Sequence, residues 1–158
     1  MFFRYMLPGH YRLTFTFTKT TDTQGVKSRI GEDAHILMWD FDGSERLVVL
    51  SALKHVQRMY ELPDIHVMES RPGGGSLHAY CFKRLPWQKT CEIIAATEGV
   101  DMGYFRWGVI RKEWTLRITE KDGHVPTPLT VLTSHYPPDA THRDLQRFVS
   151  YETLPRGR

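Results

Sequence analysis

AHILMWDFDGSERLVVLSALKHVQRMY, residues 34–60, passes from a strand through a turn into a helix, and the rest of the chain is organised around it. Ala34 to Asp40 is apolar on both faces, as a central strand is. From Glu45 to Tyr60, Val49, Leu53, Val56 and Tyr60 recur at helical spacing, with Ser51, Lys54, His55 and Arg58 opposite. Ser44 is the expected N-cap and Pro63 closes the segment.

Downstream, Ile65 to Ser70 and Ser76 to Phe82 read as short strands around a Pro72-Gly73-Gly74-Gly75 turn. Trp87 to Thr97 is a second helix, with Pro86 at its first turn and Gly99 just past its end. Its expected buried stripe is Trp87, Cys91, Ile94 and Ala95. Thr115 to Thr119 is a strand before a Lys121-Asp122-Gly123 turn, and Leu129 to Thr133 is another. After Pro137-Pro138, a helix over 140–152 is expected to bury Leu145, Phe148 and Val149. Upstream, Tyr11 to Thr18 alternates as a half-buried strand does, and the polar stretch 20–31, with Gly25, reads as a loop.

From Ala34 to Thr119 the order is strand, helix, strand, strand, helix, strand. This is the split βαβ pattern of ferredoxin-like or RRM-like domains. The expected fold is α+β: a βαββαβ core over about 34–133, an extra N-terminal strand, and a C-terminal strand and helix. Two helices would cover one face of the sheet and leave the other open. Such a core hosts many activities, so function must come from the side chains on it.

The length of 158 residues suits a single domain and is too short for a polymerase domain plus a helicase domain. A net charge of +3 leans only weakly toward anionic partners. Two cysteines, Cys81 and Cys91, make neither a zinc site nor a disulfide framework, and suit a reducing cytoplasm. Residues 1–7 lack the pattern of a signal peptide, and no run approaches a membrane span.

The chemistry concentrates in three places. Asp40 and Asp42 close the central strand and, two apart, share a face, while Trp39 and Phe41 point toward the helices. Adjacent carboxylates repel unless a cation lies between them, and hard divalent ions take oxygen ligands. The plain alternative is a turn-and-cap pair before the helix. Next, the glycine run leads into Ser76 and His78, which share a strand face with Tyr80. Glycines let backbone approach a phosphate closely, although a long hairpin with a surface histidine would look the same. Last, Asp101 follows Val100 past the second helix, and Arg117, with Lys121 if the strand runs on, can hold phosphate oxygens.

In order, these features resemble the three motifs of the archaeo-eukaryotic primase superfamily. Those are a hydrophobic run ending in Asp-x-Asp, then Ser-x-His, then a hydrophobe followed by an acid. Ile36 to Asp42, Ser76-Leu77-His78 and Val100-Asp101 match them, and LRITEK, residues 116–121, is similar to the basic strand that often follows in compact plasmid and phage primase-polymerases. The resemblance implies template-directed nucleotidyl transfer with two Mg²⁺ or Mn²⁺ ions on Asp40, Asp42 and Asp101. It implies phosphate contacts from Ser76, His78, Arg117 and Lys121, with Arg71 a further candidate. Glu120 and Asp122 are alternatives for the third acid. The implied partners are a single-stranded DNA template, an NTP or dNTP, and a helicase or other replication protein, with no membrane. Tyr104, Phe105 and Trp107 are candidates for stacking on template bases, their bland reading being a core edge. No zinc-binding stem can form, a departure from many members.

A rolling-circle initiator needs two histidines two apart, and the eight here include no such pair. A metal-dependent glycosyltransferase using Asp-x-Asp would need a longer chain. The alternative that stays open is a non-catalytic RRM-like nucleic-acid-binding module, although the aromatic RNP signature is absent.

Overall fold

In the computed structural model, residues 2–9, 11–16, 22–73, 75–121 and 123–151 are described, with backbone alone for 2–7, 11–16, 22 and 149–151. The strands are β1 (Phe2–Leu7), β2 (Tyr11–Thr16), β3 (Asp22–Lys27), β4 (His35–Asp42), β5 (Ile65–Arg71), β6 (Ser76–Leu85), β7 (Thr115–Arg117), β8 (Thr127–Leu132) and β9 (Gln146–Tyr151). The helices are α1 (Arg46–Met59), α2 (Trp87–Ala95) and α3 (Met102–Arg111). The fold is mixed α and β with antiparallel sheets, ordered β4-β6-β5-β8 and β7-β3-β9, beside a β1-β2 hairpin.

Alternation along the strands makes the core. Trp39, Phe41, Leu77, Ala79, Ile65 and Val67 are buried with Val49, Leu53 and Val56 of α1 and Ile93 and Ile94 of α2. Trp39 Nε1 donates to Thr97 Oγ1 at 2.9 Å, satisfying its buried indole. Thus β4 turns Trp39 and Phe41 toward the helices, and Asp40 and Asp42 away from them. Among the described residues, no helix is long and apolar enough to cross a membrane.

Several expectations are corrected. Glu45, not Ser44, is the N-cap of α1, because the Ser44 hydroxyl donates to the carbonyl of Gly99 instead. In α2 the buried side chains are Thr90, Ile93 and Ile94; Ala95 is exposed, and Trp87 and Cys91 are half-buried. The segment read as a polar loop contains β3. Gly25 is there a strand glycine, since a Cβ would overlap the Phe148 ring of β9 and crowd the Leu116 carbonyl of β7. The expected C-terminal helix is only a 3-10 turn, His142–Asp144, followed by β9. Leu145, Phe148 and Val149 fit a helical stripe, but RFVSY also alternates, and β3 offers a paired edge from Asp22↔Tyr151 to Lys27↔Gln146. The expected strand Tyr11–Thr18 is β2, with residues 17 and 18 outside the described ones.

The fourth core strand also differs. β7 ends at Arg117 and pairs with β3, while β8 joins the far edge of the large sheet beside β5. The outer edge of β4 is satisfied by other groups. Ile36 N–H donates to Ser28 O, Tyr104 Oη donates to Met38 O at 3.0 Å, and Asp101 N–H donates to Asp40 O at 2.9 Å. The start of α3 therefore closes a strand edge that would otherwise be open. The face of β6 opposite the helices is not open either, since Ser76, His78 and Tyr80 are all buried.

α3 is held by close packing at Gly108, where an added Cβ would overlap the Trp114 indole. Trp114 in turn stacks on Trp87, with centroids 4.5 Å apart. Gly108→Ala is expected to destabilise the protein by about 1–3 kcal/mol, the usual cost of overpacking. Urea unfolding followed by tryptophan emission measures it, and an unchanged midpoint would refute this packing.

Candidate active site

The β4–β6 register sets Asp40 opposite His78 and Asp42 opposite Ser76. Ser76 Oγ donates to Asp42 Oδ1 at 2.5 Å, and His78 Nε2 lies 3.6 Å from Asp40 Oδ1. Arg71 reaches in from the end of β5, its Nη1 3.8 Å from Asp42 Oδ1. The glycine turn is tied down where Gly43 N–H donates to Gly75 O at 2.5 Å. A cavity of about 260 Å³ is lined by Asp40, Asp42, Arg71, Ser76, His78, Arg117 and Lys121.

Arg117 is positioned by backbone carbonyls, donating to Ser70 O at 3.3 Å, His124 O at 3.2 Å, and Thr119 O. Lys121 reaches the cavity although the strand stops at Arg117. A turn in which Lys121 and His124 exchange backbone hydrogen bonds carries it there.

Asp101 arrives from the other side. Its backbone N–H holds the carbonyl of Asp40, and its Oδ1 accepts from Tyr104 N–H at 2.5 Å as the N-cap of α3. Asp40, Asp101, Tyr104, Trp107 and Arg111 line a second cavity of about 380 Å³. Asp40 is thus the wall between a basic cavity and the α3 cavity. Glu120 is exposed and lines neither, and Asp122 lies outside the described residues.

The electrostatics follow from this crowding. Burial, then the charges of Asp101 and Asp42, push the Asp40 carboxyl up to about 6. Burial, then Arg117 and Arg71, push His78 down to about 4, so its imidazole is neutral at pH 7. Its 3.6 Å approach to Asp40 is then a dipolar contact rather than an ion pair. His78 Nδ1 is buried with no hydrogen-bond partner among the described residues, a costly state unless a ligand satisfies it. Among the described residues, no three His, Cys, Asp or Glu side chains already converge on one point as metal ligands.

Of the stacking candidates, Tyr104 and Phe105 are core-edge residues. Tyr104 is tied to Met38, and the Phe105 ring stacks near Trp114 at 6.2 Å. Trp107 alone of the three is exposed, at 59%. Sequence reasoning missed Thr23 and Ser70 as cavity residues, and α3 itself. An aspartate before the apolar run 102–111 is the signal that could have found that helix. The largest described cavity, about 770 Å³ between α1 and the end of α2, holds only His55 and Glu98 as titratable groups, so volume does not select the site. No protein-family model, curated protein or solved structure matches this chain.

Proposed function

We propose that this chain joins nucleotides on a single-stranded DNA template by metal-dependent nucleotidyl transfer, as the archaeo-eukaryotic primases do. The observation that carries this reading is the position of Asp40. It has Ser76, His78, Arg117 and Lys121 around one cavity and Asp101 hydrogen-bonded to its backbone from the other side. The β4-α1-β5 unit, with β6 between its strands, supports an RRM-like view of the core in which α3 occupies the place of the fourth strand.

A divalent cation fits the donor set, since the charges of Asp101 and Asp42 both raise the cost of ionising Asp40 and all three side chains are hard oxygen ligands. Asp40, Asp42 and Asp101 are the residues that would hold Mg²⁺ or Mn²⁺. When bound, the metal supplies charge neutralisation and an acidified hydroxyl. The chain's own groups do the rest. Ser76 and the neutral His78 line the cavity and would donate hydrogen bonds to a phosphate held there. Arg117 and Lys121 offset the triphosphate charge, and Arg71 exchanges Asp42 for phosphate.

The test is purified protein with a single-stranded template, Mg²⁺ or Mn²⁺, and labelled NTPs or dNTPs, with and without a primer. Template-dependent incorporation abolished by EDTA is expected. Template binding without incorporation under any metal would favour the non-catalytic module. His78→Ala is expected to raise the nucleotide KM about tenfold or more, the cost of a lost hydrogen bond to a charged group. Its template Kd should stay at the wild-type value. An unchanged KM would make His78 a structural histidine.

A further inference from the structure

We infer that α3 is a binding track for single-stranded nucleic acid, with Trp107 as the base-stacking platform and Arg111 as its phosphate contact. The inference rests on the nucleotidyl-transfer reading only for the strand's role as template. Gly103, Trp107 and Arg111 succeed one another at four-residue spacing and all line the cavity that ends at Asp40 and Asp101. Gly103 adds no side chain to that row, and a Cβ there would lie 3.1 Å from Asp101 Oδ1, so the row leads from Trp107 directly to the Asp101 carboxylate.

Trp107 is 59% exposed, and nothing in the fold requires an indole there. The Arg111 guanidinium lies over its ring, 5.4 Å from the centroid, so charge and aromatic face act together. The charge of the helix is one-sided. MGYFRWGVIR carries two arginines and no acid, and Lys112 follows. The nearby Glu113 is offset by Lys27 at 3.0 Å. An exposed aromatic flanked by cations suits a polyanion with splayed bases. A rigid duplex, whose bases are stacked inside, offers this surface nothing to stack on.

The experiment is fluorescence anisotropy with a short fluorescein-labelled oligothymidylate, without nucleotide or metal, and thermal melts to verify folding. Trp107→Ala should weaken binding about tenfold or more, and Trp107→Phe should recover most of it. Arg111→Ala should weaken binding and flatten its salt dependence, as loss of one phosphate contact does. Nucleotide KM should not move in Trp107→Ala. If Trp107→Ala binds as wild type does, or wild type does not bind, the track is refuted. Wild type that incorporates nucleotides while Trp107→Ala keeps its Kd would refute the track and leave the proposed function standing. Loss of binding in Trp107→Ala, in a protein that incorporates nothing, would support the track and refute that function.

Discussion

Asp40→Asn is expected to cut nucleotide incorporation by more than about a hundredfold, beyond the 10–100-fold that loss of a mere outer partner costs. It should also stabilise the metal-free protein at neutral pH. The two effects have one cause. The Asp40 carboxyl is buried beside Asp101 and Asp42, so its ionised form is unfavourable in the folded state. Its folded value is raised to about 6, well above the usual carboxylate range. The folded protein therefore binds more protons than the unfolded chain across the interval between the two, and stability falls as pH rises through it. Below about pH 4 the carboxyl is protonated in both states and Asn confers nothing. Above about pH 6 the advantage of Asn is complete. The shift alone would correspond to about 3 kcal/mol. The Asp40 side chain is 31% exposed, so solvent screening reduces this to about 1–2 kcal/mol. Urea titrations at pH 4 and pH 7.5 in EDTA, beside incorporation assays in Mn²⁺, measure both effects. Incorporation near the wild-type rate would remove Asp40 from the metal site. A variant less stable than wild type at pH 7.5 would show that the carboxylates do not repel.

Asp101→Asn and Asp101→Ala should both lose incorporation to a similar degree, yet differ in stability. Asp101 has two jobs, since its Oδ1 caps α3 and its charge is the largest one acting on Asp40. Asparagine caps a helix as well as aspartate does and removes the charge that burdens Asp40, so Asp101→Asn should melt at or above wild type at neutral pH without metal. Alanine should cost about 1 kcal/mol. Incorporation is the readout that separates metal ligation from capping. If Asp101→Asn stays active, Asp101 is a cap alone and the third acid lies elsewhere, Glu120 being the described alternative.

Much of this site was legible in the sequence because it depends on short-range alternation. Asp40 with Asp42, and Ser76 with His78, share faces by the two-residue period of a strand, and the reversal of the chain after Arg71 brings the hairpin strand β6 back beside β5. Arg71 and Arg117 were legible as cations beside that face. Lys121 arrived by another route than expected, through a turn instead of a continuing strand. What misled was ambiguity in short segments. Leu145, Phe148 and Val149 match both a helix and a strand, and Gly25 in a polar stretch matches both a loop and a tightly packed strand. In each case the outcome depended on whether a partner edge was available, which no local pattern states.

The sequence by itself determined the β4-turn-α1 unit, the hairpin that follows, and the shared faces of their polar residues. Local steric and hydrophobic periodicity are sufficient for these. Only the tertiary structure decided that α3, and not β7, closes the outer edge of β4, and that β3, β7 and β9 form their own sheet. Those choices depend on which backbone donors lie within hydrogen-bond reach of β4. The hydrogen bond from Asp101 N–H to the carbonyl of Asp40 joins residues 61 positions apart in the chain. A contact of that range exists only once the core beneath it has packed.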